Sequence, residues 1–294
     1  MMPGISGAPS SSTHLRWTTL VVVLANVAFI DVYGHFGGSP TFAEVVAEYG
    51  NTFVPAGFAK AIYVVILGAF LLFYIAALRP RQHRRRIYDD LVIPLASTSV
   101  LASCWFVSFR FGRFGLTAAF IAASVVVAAV MFVRVASVSP SKHSSWLRVP
   151  FSLHFGAMTL ALLIAVTQWL NASGILAGTA IATEDVATAF LAFAAAAGGY
   201  VAIRYSDVVY PAVITSGVCA MFIAQRGYDQ IVASDAFIVC VGMLIVVGLA
   251  AVALAQQPRR DPRIRSSHRS PRNAGTPTED RWLRLDENSS IMRL

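Results

Sequence analysis

The chain is 294 residues long, with 56% hydrophobic residues, only 13% charged residues and a formal net charge of +8. Soluble domains carry about twice that share of charge, so a water-soluble globular fold is excluded. The positive balance does not mark a nucleic-acid binder either, because the arginines sit in segments between apolar runs and in the C-terminal stretch rather than on one folded face.

The first residues, MMPGISGAPSSST, lack the basic start of a signal peptide. They predict a flexible arm over 1–16, with the first helix acting as its own uncleaved insertion signal. Apolar runs of spanning or near-spanning length follow at 17–34, 54–78, 88–109, 114–136, 149–170, 185–203, 208–225 and 235–255. The expected fold is therefore all-α: a polytopic bundle of eight transmembrane helices over residues 17–255. From Gln256 the composition changes to Arg, Ser and Pro, which predicts a disordered basic tail over 256–294. That tail has the chemistry to rest on anionic lipid headgroups, or to stay solvated with no partner.

In the first run, Asp31 lies near the C-terminal end, and Asn26, deeper, suits a hydrogen bond to another helix. The second run carries a single cation, Lys60. A lysine within a span suggests a functional site with an acidic partner, though its depth also allows it to snorkel to the interface. Lys60, Tyr63, Leu67, Phe70 and Tyr74 form one stripe; Gly57 and Gly68 belong to a small-residue face suited to close helix packing. The fifth run opens with Arg148-Val149-Pro150-Phe151-Ser152-Leu153-His154. Ser152 and Gly156 make a small-xxx-small packing pair, and His154 reads either as a ligand contact or as a structural hydrogen-bonding residue.

Tyr88-Asp89-Asp90-Leu91-Val92-Ile93-Pro94 is echoed 117 residues later by Tyr205-Ser206-Asp207-Val208-Val209-Tyr210-Pro211. Either the first four helices are an ancient duplicate of the last four, or both places use a common helix start: Asp favours the N-terminal dipole and Pro is tolerated in the first turn. Of the 23 basic residues, Arg110, Arg113 and Arg226 alone fall in loops on the side opposite the N-terminus, with Lys60 inside a span. Positive residues are retained on the cytoplasmic side, so both termini are expected there, in the cytoplasmic (inner) membrane. Cys104, Cys219 and Cys240 each fall inside an apolar run without a CxxC pair, and they are expected as small packing residues rather than as a disulfide or zinc set. No nucleophile elbow, HExxH, phosphate loop or His/carboxylate cluster occurs. Neither an enzyme, a metal centre nor a resident cofactor is expected.

Two segments carry a resemblance. Phe53-Val54-Pro55-Ala56-Gly57-Phe58-Ala59-Lys60-Ala61-Ile62-Tyr63 resembles the F-x-P-A-G-x-x-F-x-I-W segment of bacterial multi-helix tryptophan-rich sensory proteins, the TspO/MBR-related family. Arg148 to Gly156 resembles their R-x-P-F-S-L-Y-x-G segment. The chain departs by having Tyr63 and Ala157 in place of Trp, Lys60 in place of an aromatic residue and His154 in place of Tyr. The resemblance implies a cavity for a small hydrophobic, tetrapyrrole-like ligand, as the shorter five-helix members bind porphyrins and sterol-like molecules. Together with the residue reading, it makes Lys60, Tyr63, His154 and Asp31 the expected ligand contacts, with Lys60 meeting an acidic group on the ligand. The rival readings are a secondary transporter of a small solute and a non-catalytic membrane scaffold.

Overall fold

The computed structural model describes residues 11–36, 44–45, 48, 61–78, 86–138, 146–176, 183–227 and 229–256. Gly57, Lys60, the side chain of Tyr63, the first ten residues and the tail beyond Gln256 lie outside the described residues.

Helices account for the regular structure: α1 (Ser11–Phe36), α2 (Ala61–Ala77), α3 (Arg86–Asp90), α4 (Val92–Arg110), α5 (Phe114–Val138), α6 (Val149–Ala172), α7 (Thr183–Tyr205), α8 (Val209–Gln225) and α9 (Gln230–Gln256). The short α3 and α4 are one rod interrupted at Leu91, which makes eight helical rods among the described residues. Pro94 explains the interruption. It has no amide hydrogen to offer the carbonyl four residues back, and the freed Asp90 oxygen is taken by Arg134 of α5 at 3.2 Å. Six spans are long and apolar enough to cross a membrane, and Val64–Ala77 and Val209–Gln225 are shorter apolar helices. The chain is a multi-pass membrane protein.

Successive spans alternate in direction. The starts of α1, α3, α6 and α8 meet the ends of α2, α5 and α7 at one end of the bundle, termed the basic end, through contacts made by Arg16, Arg148 and Phe132. At the far end Arg110, 4% exposed, donates to the Tyr33 carbonyl and covers the Tyr33 ring, binding α4 to α1. Arg16 and Arg110 are thus buried helix residues rather than loop charges. Deeper, Asn26 donates to the Ser99 carbonyl and the Ser103 hydroxyl, both at 2.6 Å, and joins the same two helices.

The core centres on α6, which packs against α2, α5, α7 and α8. Gly156 allows a close approach of α8, since a Cβ there would lie 3.0 Å from Val213 Cβ and 3.3 Å from the Tyr210 carbonyl oxygen. Gly68, expected at a helix contact, has open space where its Cβ would be. The reason is rotation of the helix: α2 turns Phe70, Phe73, Tyr74 and Ala77 inward, which carries Gly68 to the opposite side. The expectation of three separate cysteines also requires correction, because Cys219 of α8 and Cys240 of α9 form a disulfide, with Cα atoms 5.7 Å apart. The hairpin between α8 and α9 brings together two residues 21 apart in sequence, a register invisible before the turn is placed. Cys104 is the free cysteine.

Candidate functional site at the basic end of α6

Arg148 precedes α6, and Pro150 occupies its first turn, where the missing amide hydrogen costs nothing. Ser206, between α7 and α8, adopts a left-handed conformation with φ of 49°, and the chain there turns from one helix into the next. The turn sets Asp207 as a cap for α8: one carboxylate oxygen accepts the Val209 and Tyr210 amides, both at 2.9 Å. The same oxygen accepts the Ser152 hydroxyl at 2.6 Å. Arg148 lies 3.6 Å from the other oxygen, donates to the Tyr205 carbonyl at 2.8 Å and reaches over the Phe132 ring. One buried carboxylate therefore ties the start of α6 to the α7–α8 corner.

A comparable lock joins α1 to α3. Arg16 donates to Asp89 at 2.8 Å and to the Ala77 carbonyl at 3.0 Å, beside the Tyr88 ring. Both locks use the repeated Tyr-x-Asp segment with an arginine from the first helix of the respective half. The halves differ in register: Asp89 makes the pair in the first, whereas Asp207 aligns with Asp90.

Between the locks runs a layer of rings. Phe151, fully buried, packs edge-on against Phe73 at 5.0 Å and Phe70 at 5.7 Å. Phe73 meets Tyr88, and on the other flank of α6 Phe155 packs against Tyr210 at 4.7 Å and Phe132 at 5.7 Å. Such edge-to-face pairs add to the burial of the rings themselves. The His154 ring stands edge-on to Phe70 at 5.4 Å. Its Nε2 is enclosed without a hydrogen-bond partner, and so is the hydroxyl of Tyr74, one turn along α2 from Phe70. By contrast the Tyr210 hydroxyl, in the same layer, pairs with Thr159 at 3.1 Å.

Of the expected ligand contacts, His154 lies at this seam between α2 and α6, near the basic end. Tyr63 occupies the first turn of α2, two turns toward the far end from Phe70. Asp31 is exposed near the far end of α1. His154 and Asp31 therefore stand at opposite ends of the bundle, and the structure does not gather these residues at one point. Lys60 and Gly57 lie outside the described residues. Ser152 and Gly156 both face α8, the first through Asp207 and the second through Val213. Tyr74, part of the α2 stripe, packs edge-on against Phe73 with its hydroxyl enclosed. Among the described residues no group of His, Cys, Asp or Glu is arranged to hold a metal ion.

A family model described as TSPO-like protein matches residues 15–252. No curated protein and no solved structure gives a match.

Proposed function

The chain belongs to the TSPO-like protein family, and we propose that it is a non-catalytic membrane protein that binds or passes a small hydrophobic ligand along the α2–α6 seam. The carrying observation is two enclosed, unpartnered polar atoms: His154 Nε2, whose ring stands beside Phe70, and Tyr74 Oη, whose ring stands beside Phe73. Leaving such a group unsatisfied costs about 1–3 kcal/mol. An aromatic ligand with hydrogen-bonding atoms at its rim offsets that cost while stacking on the rings. A tetrapyrrole has this chemistry, and Lys60, on the same stripe of the sequence as Phe70 and Tyr74, supplies a cation for its acidic groups. In this reading the protein lies in the cytoplasmic membrane with both termini inside, as the distribution of arginines favours.

The test is a spectral titration of purified protein with protoporphyrin, comparing wild type with Tyr74→Phe, His154→Phe and Lys60→Met. Saturable binding is expected, weakened about tenfold, or about 1.4 kcal/mol, by each substitution. Absence of binding to wild type, or equal affinity in all four proteins, refutes the reading. The repeated arginine–aspartate locks favour a second reading, a transporter built from two four-helix repeats. Porphyrin flux into proteoliposomes, rather than binding alone, distinguishes it.

A further inference from the structure

The disulfide between α8 and α9 lies apart from the α2–α6 seam. Cys219 is ten residues into α8 and Cys240 ten residues into α9, so each lies about 15 Å from its helix start, near the middle of a hydrocarbon layer of roughly 30 Å. Asp229 caps α9 by accepting the Ile231 and Val232 amides, which anchors the hairpin that brings the two sulfurs together. Phe222 follows Cys219 by three residues and Phe237 precedes Cys240 by three, so each ring is a helical neighbour of its cysteine. The two rings touch at 5.4 Å, and Phe237 is 52% exposed on the outside of the bundle. Ile238 and Val241 beside it are exposed as well. The sulfur pair thus lies about one helical turn from an aromatic pair whose Phe237 faces outward from the bundle.

That position restricts the redox partner. Charged thiols and aqueous thiol proteins do not reach the centre of a bilayer. Closing the bond removes one hydrogen from each thiol, two electrons and two protons in all, and burial of a lone thiolate or an unmatched proton there is costly. A lipid-soluble quinone accepts both electrons and both protons and leaves as the neutral hydroquinone. We infer that Cys219 and Cys240 form a reversible dithiol–disulfide couple oxidised from within the bilayer by a quinone, which docks against Phe222 and Phe237. The balanced step is two thiols plus quinone giving disulfide plus hydroquinone. The bond latches α9 to α8, the helix that also carries the Asp207 cap and the Val213 contact with Gly156.

The experiment uses the full chain in lipid nanodiscs without oxygen, with Cys104→Ser so that only the pair is counted. After reduction, the protein receives either a short-chain ubiquinone analogue or oxidised glutathione at equal concentration; free thiols are counted by alkylation and mass spectrometry. The expected result is loss of both thiols with quinone, one hydroquinone formed per disulfide, and oxidation by glutathione slower by about tenfold or more. Phe237→Ala is expected to slow the quinone reaction while leaving the far-ultraviolet helix signal unchanged. Thiols that persist with quinone, or glutathione that reacts as fast, overturn the inference. An unaffected rate in Phe237→Ala with retained fold overturns the docking position.

Discussion

Asp207 offers a direct test of how α6 is held to the α7–α8 corner. Its carboxylate, 6% exposed, serves three donors through one oxygen and faces Arg148 with the other. In Asp207→Ala the helix cap is lost, at about 1 kcal/mol. The Ser152 hydroxyl is orphaned in a buried place, at about 1–3 kcal/mol. The ion pair adds little, because at 3.6 Å it is long, Arg148 keeps some exposure, and Tyr205 still accepts from it; about 0.5 kcal/mol is a fair allowance. The loss totals about 2.5–4.5 kcal/mol. Asp207→Asn keeps an oxygen for the amides and the serine, and loses only charge, at about 1 kcal/mol. Thermal unfolding in detergent, followed by tryptophan fluorescence, is expected to place Asn about 3 °C and Ala about 10 °C below wild type, at roughly 3 °C per kcal/mol for a chain of this size. Equal midpoints for Ala and Asn, or an Ala variant matching wild type, would refute the reasoning.

Gly156→Ala forces a Cβ to 3.0 Å from Val213 and is expected to cost about 1–3 kcal/mol, whereas Gly68→Ala meets open space and is expected to leave the midpoint unchanged or raised. Parallel melts check the pair, and a Gly68 variant as damaged as the Gly156 variant contradicts the described face of α2. Arg16→Ala strips a donor from both Asp89 and the Ala77 carbonyl, with an expected loss of about 2 kcal/mol. A double-mutant cycle with Asp89→Ala is expected to return a coupling of about 1 kcal/mol, modest because Asp89 is a third exposed; a coupling of zero removes the first lock from the account.

How much of this was legible depended on the range of each interaction. The eight helices follow from apolar runs, six of them long enough to cross a membrane, and the repeated Tyr-x-Asp segment was visible because capping is local. Its arginine partners were not, since Arg16 and Arg148 lie 73 and 59 residues from the carboxylates they meet. The disulfide escaped for the same reason. Of the expected ligand contacts, His154 and Asp31 stand apart because antiparallel helices trade sequence order for depth: His154 begins its helix at the end of the bundle where α2 stops, and it meets Phe70.

The segment from Arg148 to Gly156 shows what a family motif of this kind encodes. Arg148 and Ser152 engage the α7–α8 corner, Phe151 and His154 face α2, Phe155 meets Phe132 and Tyr210, and Gly156 admits α8. Six of these nine positions have a named neighbour, as expected of a helix that packs against four others. A motif satisfied in this way specifies the bundle, and on the proposed function a ligand would be met by positions whose polar atoms the bundle does not satisfy. Among the described residues of this segment those atoms are His154 Nε2 and Arg148 Nε. Arg148 is already engaged by Asp207 and Tyr205, so under the proposed function His154, which stands where the resembled segment has Tyr, is the position at which ligand preference is most directly tested. Returning it to tyrosine, His154→Tyr, tests whether the imidazole sets the preference or only fills the seam.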